Sequence, residues 1–264
     1  MTQLCRNCMI PLLTDQFSAV RGTDPHPGLL FSKGLSRAPA EGEKAIYIEE
    51  VSKLPVSGFY QSAFERWKKI TCDPARFMTF SAMLAGRLYV GVVRDNSLET
   101  GVTISHTYGM PVIPGSAVKG LCHASAEEWL DNEEACRWLF GQEGNGDDEG
   151  AEIGGLIFHD AWWLPDGKPF ALETVTTHHP GYYGAYTKPR KEGSQDPDVG
   201  ATDFDSPIPA PQIAVRGSFL FAVEGPPLWT KLAARLLAEG LTRRGIGGKR
   251  SSGYGLFVVE GRGQ

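Results

Sequence analysis

The chain has 264 residues, 41% hydrophobic and 22% charged, with a formal net charge of −5. This is ordinary globular composition, long enough for one large domain with insertions or two small ones. It argues against a free-standing nucleic-acid binder, which is usually basic, and no apolar run approaches the roughly 20 residues of a membrane helix.

Residues 1–80 read as an irregular N-terminal extension with one helix, packed on a core formed by residues 81–264. The opening stretch has no basic region followed by a clean apolar segment, so no secretory signal is expected. Five cysteines, an odd and low count, do not suit a disulfide framework and point to a reducing cytoplasm. The one helix covers Gly58 to Ile70, with Phe59, Ala63, Phe64, Trp67 and Ile70 on one stripe.

Six core elements follow. Ser81 to Val93 reads as a strand. Pro114 to Leu130 reads as a helix whose Ser116, Lys119, His123 and Glu127 share one side, with Val118, Leu121, Cys122 and Trp129 on the other. Asn132 caps a second short piece, Glu133 to Phe140. Ile153 to Trp162 and Ile213 to Val223 read as strands. Leu228 to Glu239 reads as a helix with Gly240 as its stop, and Tyr254 to Glu260 as a last strand. The order β-α-β-β-α-β is the ferredoxin-like, RRM-like arrangement of the α+β class, and its first and last strands are expected at opposite edges. An inserted arm spans residues 165–211, too long for an ordinary loop.

Charge is unevenly spread. Glu143, Asp147, Asp148, Glu149 and Glu152 form an acidic loop, while Arg243, Arg244, Lys249 and Arg250 form a basic stretch. That pattern suits a subunit binding RNA together with partners. The basic stretch runs into Gly245-Ile246-Gly247-Gly248-Lys249-Arg250-Ser251-Ser252-Gly253-Tyr254-Gly255. Its glycines permit positive φ and close backbone approach, successive N–H groups can form an anion nest, and the cations and hydroxyls suit a phosphodiester. A strained connection with solvated charges is the plainer alternative. It is not a nucleotide-binding P-loop, because Arg250 follows Lys249 and the loop opens a strand. Ser116 and Lys119 stand at a helix start, where anions are favoured; an ordinary capped helix explains them equally.

Three further features carry alternatives. Cys5 and Cys8 have metal-ligand spacing, but no second pair accompanies them, so no metal is assigned. His178, His179, Tyr182, Tyr183 and Lys188 could make an acid–base set for RNA cleavage or be stacking residues on an arm. Asp160 suits a strand end that bonds nearby N–H groups better than a metal ligand. No cofactor is expected.

Taken together, Ile113-Pro114-Gly115-Ser116 with Lys119-Gly120, the C-terminal glycine-rich loop, Leu139-Phe140-Gly141 and the strand ending Asp160-Ala161 resemble the RAMP superfamily of CRISPR proteins. The stretches 178–183, 207–211 and 98–101 are similar to the sixth-subunit family of the Cmr, type III-B, effector. The resemblance covers roughly residues 80–260. It implies a RAMP fold with long insertions that binds crRNA near its 3′ part, recognises target RNA and assembles with other Cmr RAMP subunits. The RNA-binding residues it implies are Ser116, Lys119, Gly247, Gly248, Lys249, Arg250, Ser251, Ser252, Gly253, Tyr254, His178, His179 and Tyr182. No aromatic string marks a central strand, so base stacking on the sheet face is not indicated. The rival readings are an endoribonuclease of the same superfamily and an unrelated metabolite-binding domain.

Overall fold

The computed structural model describes residues 26–34, 39–40, 42–91, 98, 100–142, 144, 150–179, 182 and 206–259. Cys5, Cys8, Tyr183, Lys188 and most of the acidic loop lie outside them.

Strand β1 (Phe77–Leu84) is an interior strand of an antiparallel sheet. It pairs on one side with β10 (Phe257–Val259) and on the other with β9 (Ser218–Glu224). Beyond β9 come β6 (Ala161–Trp163) and then β2 (Val112–Ile113), giving the order β10-β1-β9-β6-β2. The first and last core strands are therefore neighbours, not opposite edges: Leu84 faces Phe257 in register.

Alternation along the strands sorts two faces. Ala82, Leu84, Trp163, Phe219, Phe221, Val223 and Phe257 fall on the inner face and are buried. They are covered by α4 (Gly115–Trp129) and α6 (Pro227–Arg243). On the other face α3 (Gly58–Ile70) lays Tyr60 and Trp67 over Trp162, with ring centroids 5.9 and 5.8 Å apart. Ser57 caps α3 by accepting the Phe59 N–H at 3.1 Å.

Four expected elements differ. The strand over Ser81 to Val93 starts earlier and ends sooner, as β1 at Phe77–Leu84, and Leu88 and Tyr89 form only isolated bridges to Val215 and Gly248. The strand over Ile153 to Trp162 is broken into β4 (Glu152–Ile153), β5 (Ile157–Phe158) and β6, and β4 pairs instead with β3 (Gly141–Gln142). Phe158 faces Val223 while Trp162 faces Leu220. One extra residue therefore sits between them, a bulge that moves the strand from one side of the pleat to the other. Gly240 does not stop α6. Its missing Cβ lets the helix approach Ser125 and Leu121 of α4. The stop is Gly245, at φ +69°, whose N–H reaches back to the Gly240 carbonyl at 2.9 Å. The strand over Ile213 to Val223 is two strands, β8 (Ile208–Val215) and β9, turned at Gly217 (φ +96°).

Among the described residues, the N-terminal extension holds two more helices than expected, α1 (Pro27–Lys33) and α2 (Glu43–Ser52). Charged residues interleave the apolar ones in α2, which masks its buried side of Tyr47, Ile48 and Val51. Both helices support the inserted arm. The arm is a hairpin of β7 (Phe170–Thr177) and β8 in continuous register from Phe170–Val215 to Thr177–Ile208. Phe31 meets Phe170 edge-on at 5.0 Å. The base of the arm is therefore part of the core.

Helix α5 (Glu133–Phe140) begins as expected, with Asn132 Oδ1 accepting the Ala135 N–H at 2.8 Å. It returns along α6, and Trp138 stacks on Trp229 at 4.6 Å. Helix α4 itself runs parallel to α6: Cys122 Sγ donates to the Ala233 carbonyl, and further on Glu128 pairs with Arg244.

Candidate nucleic-acid interface

The glycine-rich loop stands on a rigid base. The Gly248 N–H donates to the Tyr89 carbonyl at 2.7 Å, the Gly255 N–H to the Arg87 carbonyl at 2.8 Å, and the Ile246 N–H to the Gly255 carbonyl at 2.9 Å. At Gly247, φ is +90° and a Cβ would collide with the Tyr89 carbonyl. That glycine brings the loop against its own chain. Gly253, at φ +85°, has open space where a Cβ would be.

Above this base Lys249 adopts a left-handed conformation (φ 57°) and Arg250–Ser252 form a single 3₁₀ turn. Lys249, Arg250, Ser251, Ser252 and Gly253 are all exposed. Tyr254 folds inward, its ring 4.7 Å from that of Tyr89. The N–H groups of Ser252, Gly253 and Tyr254 are spent on the Lys249 and Arg250 carbonyls. An extended anion nest is thus not what the loop offers. It offers side chains.

The four basic residues of this region divide into two pairs. Arg243 meets Glu239 at 3.1 Å and lies over the Trp129 ring, and Arg244 meets Glu128 at 2.6 Å. Lys249 and Arg250 have no ion-pair partner among the described residues. Two cations are neutralised in the fold, and two are presented to solvent.

The sequence reading missed Arg87 and Tyr89, which precede the site by 160 residues and carry no motif. Tyr89 is buried, and burial raises its hydroxyl pKa above the ordinary tyrosine range. Arg87 Nε is buried without a hydrogen-bond partner among the described residues and lies 3.8 Å from Glu173 Oε2 on β7. Arg87 thereby joins the loop to the arm. His178 and His179 follow the end of β7, exposed and half-buried respectively, and Tyr182 is half-buried beyond them. The remainder of the acid–base set, Tyr183 and Lys188, falls outside the described residues.

Ser116 and Lys119 are exposed on α4 together with His123 and Glu127, and Val118, Leu121 and Cys122 are buried opposite, as the helical spacing requires. They do not meet the loop. α4 starts beside Phe158, level with Val223 and Met78, whereas the loop enters β10 at Phe257, level with Leu84. Six residues along β1 separate these levels, about 20 Å at roughly 3.3 Å per residue.

Asp160 bonds an N–H group, as expected: its Oδ1 accepts the Gly115 N–H at 2.7 Å. Among the described residues no cluster of three His, Cys, Asp or Glu side chains could hold a metal ion, and no helix is long and apolar enough to cross a membrane.

A stretch of 85 residues is 35% identical to the CRISPR system Cmr subunit Cmr6 of Pyrococcus furiosus, covering 30% of this chain and 24% of that protein. The match thus spans about a quarter of the relative's length. Among solved structures, a chain of the type III-B Cmr-beta complex bound to cognate target RNA superposes with a TM-score of 0.62 at 20% identity, over 83% of this chain and 71% of that one. The crystal structure of Cmr6 from Pyrococcus furiosus matches with a TM-score of 0.39 at 24% identity, over 69% and 97% of the two chains. The family model described as the RAMP superfamily matches residues 84–258. That span runs from the last residue of β1 through α4, α6 and the glycine-rich loop into β10, and on it the chain belongs to the RAMP superfamily.

Proposed function

We propose that this chain is a non-catalytic RNA-binding subunit of a type III-B CRISPR (Cmr) effector complex. In this reading it works in the cytoplasm, holds the crRNA backbone near its 3′ part, caps the backbone filament, and meets target RNA and other Cmr RAMP subunits. The observation that carries the reading is the pair of exposed cations, Lys249 and Arg250, without an ion-pair partner among the described residues and raised with Ser251 and Ser252 on a braced loop. Phosphate contacts of this kind position a strand and read no sequence.

The fold supports the same reading. Taking β1, β6, β9 and β10 as the four core strands, the order β10-β1-β9-β6 is the 4-1-3-2 order of a ferredoxin-like sheet. The departure is α4, which runs parallel to α6, with α5 supplying the return. Ser116 and Lys119 would meet the strand about 20 Å from the loop. His178, His179 and Tyr182 would meet it from the arm.

The test is the salt dependence of crRNA binding. About three cationic contacts to single-stranded RNA give a log–log slope near −2, from roughly −0.7 per phosphate. Lys249→Ala with Arg250→Ala should make it shallower by about 1.4 and leave the fold intact, since such surface changes cost within about 0.5 kcal/mol. An unchanged slope would show the loop to be structural. Incubating the chain with repeat-containing RNA, with and without a divalent metal, separates the nuclease alternative: cleavage lost in His178→Ala or His179→Ala would replace the reading.

A further inference from the structure

A cavity of about 340 Å³ opens on the outer sheet face beside the start of α4. Tyr60, Tyr108 and Trp162 line it and pack on one another, with centroid distances of 5.9 Å for Tyr60–Tyr108 and 5.5 Å for Tyr108–Trp162. The Tyr60 hydroxyl is committed to the Trp163 carbonyl at 2.5 Å, and the Tyr108 ring is inclined by 62° to Tyr60 and by 48° to Trp162, so the wall is an angled aromatic corner. Asp160, Ser105 and His106 also line it. The Gly115 N–H fixes one Asp160 oxygen at 2.7 Å, and the other has no hydrogen-bond partner among the described residues.

This combination selects a ligand class. Aromatic walls take a flat heterocycle and are the usual platform for an unstacked base. The volume lies at the small end of ligand cavities, enough for one ring system and not for a chain. An ionised carboxylate only accepts hydrogen bonds, so the heterocycle must offer donors toward it. Guanine presents two adjacent donors, the ring N1–H and the exocyclic amino group. Adenine and cytosine present an amino group beside a bare ring nitrogen, and uracil a single N–H flanked by carbonyl oxygens. Ser105 and His106 carry groups able to donate to the guanine carbonyl. A phosphate would be repelled by Asp160.

We propose that this cavity holds one unstacked guanine base of the bound RNA. The proposal rests on the RNA-binding reading and adds a base-specific contact to it.

The experiment compares uracil-only oligomers with oligomers carrying a single guanine or a single inosine, which lacks the exocyclic amino group, at successive positions. Binding of the full chain is read by fluorescence anisotropy at fixed salt. At one position guanine should tighten binding by about tenfold over uracil, the low end of what one two-donor base contact discriminates, with inosine in between. Asp160→Asn should erase the guanine–uracil difference while uracil-only binding persists. Trp162→Leu should do the same and provides the check if the Asn variant folds poorly. Equal binding of guanine and uracil oligomers, with the expected salt slope intact, would overturn the pocket and leave the RNA reading standing. Failure of every oligomer to bind would overturn both.

Discussion

Asp160 accepts the Gly115 amide hydrogen at 2.7 Å, so the first turn of α4 is capped by a residue 45 positions later in the chain. Pro114, which precedes the helix, has no side-chain oxygen to offer. The bond joins the bulged strand to the helix it supports. Asp160→Ala should cost about 1 kcal/mol, the usual value of a lost cap. That corresponds to a melting temperature lower by about 2–4 °C in a domain of this size. Asp160→Asn keeps an acceptor and should recover most of the loss, and thermal melts of the two variants decide it.

Gly247 and Gly253 both need positive φ, yet they should respond differently to alanine. At Gly253 only the left-handed conformation is penalised, by roughly 1–2 kcal/mol. At Gly247 the added Cβ also strikes the Tyr89 carbonyl, so the loop must lift from its base. Urea titration should rank Gly247→Ala as the more destabilising, and its effect on RNA binding should exceed that of Gly253→Ala. The reverse ranking would mean that the base does not brace the tip.

The arm tests how far its base belongs to the core. Leu88 and Val215 exchange both amide–carbonyl bonds at 2.9 Å, and the Ile213 N–H donates to Thr100 Oγ1 at 3.1 Å. Amides of Leu88, Ile213 and Val215 should exchange slowly in the isolated chain. Protection should fall toward Ile208, which is 56% exposed. Uniformly fast exchange from Phe170 to Val215 would show that the hairpin forms only in an assembly.

Glu224 sets an acid limit. The Arg76 guanidinium first, and His159 second, hold its carboxyl below the ordinary carboxylate range. A depressed folded pKa contributes stability above the unfolded value, about 4.3 for Glu, and that contribution is lost as pH falls through the folded one. Glu224→Gln should therefore be less stable than the parent at neutral pH, and the gap should close in melts taken at progressively lower pH below about 4.3.

Much of this was legible in the residues. Helices α3 and α5 fall on the expected boundaries because each has a polar cap and an apolar side, but in α3 that side is Tyr60, Ala63 and Phe64, and Phe59 and Ile70 of the expected stripe are exposed. Strand β8 was hidden by Pro209 and Pro211. Proline cannot donate to a ladder and reads as a break, but both prolines occupy alternate positions opposite Thr176 and Thr174, where an N–H is not needed by β7. The exposed cations of the loop were legible from composition alone. Their separation from Arg243 and Arg244 was not, because Glu128 comes from a distant helix. Arg87 and Tyr89 were invisible for the same reason: their role depends on which backbone the loop leans against.

The bulge between Phe158 and Trp162 bears on which indole faces the core. Trp163 is fully buried on the inner face, and Trp162 lies on the outer face against Tyr60 and Trp67. The extra residue is what lets Phe158 and Trp163, five positions apart, share the inner face. A strand of the same length that kept the Phe158 register without the bulge would exchange the two indoles: Trp163 would turn toward α3, and Trp162 would be driven into the space between sheet and helices. Deleting one residue at this step would instead straighten the strand and leave both indoles on their faces.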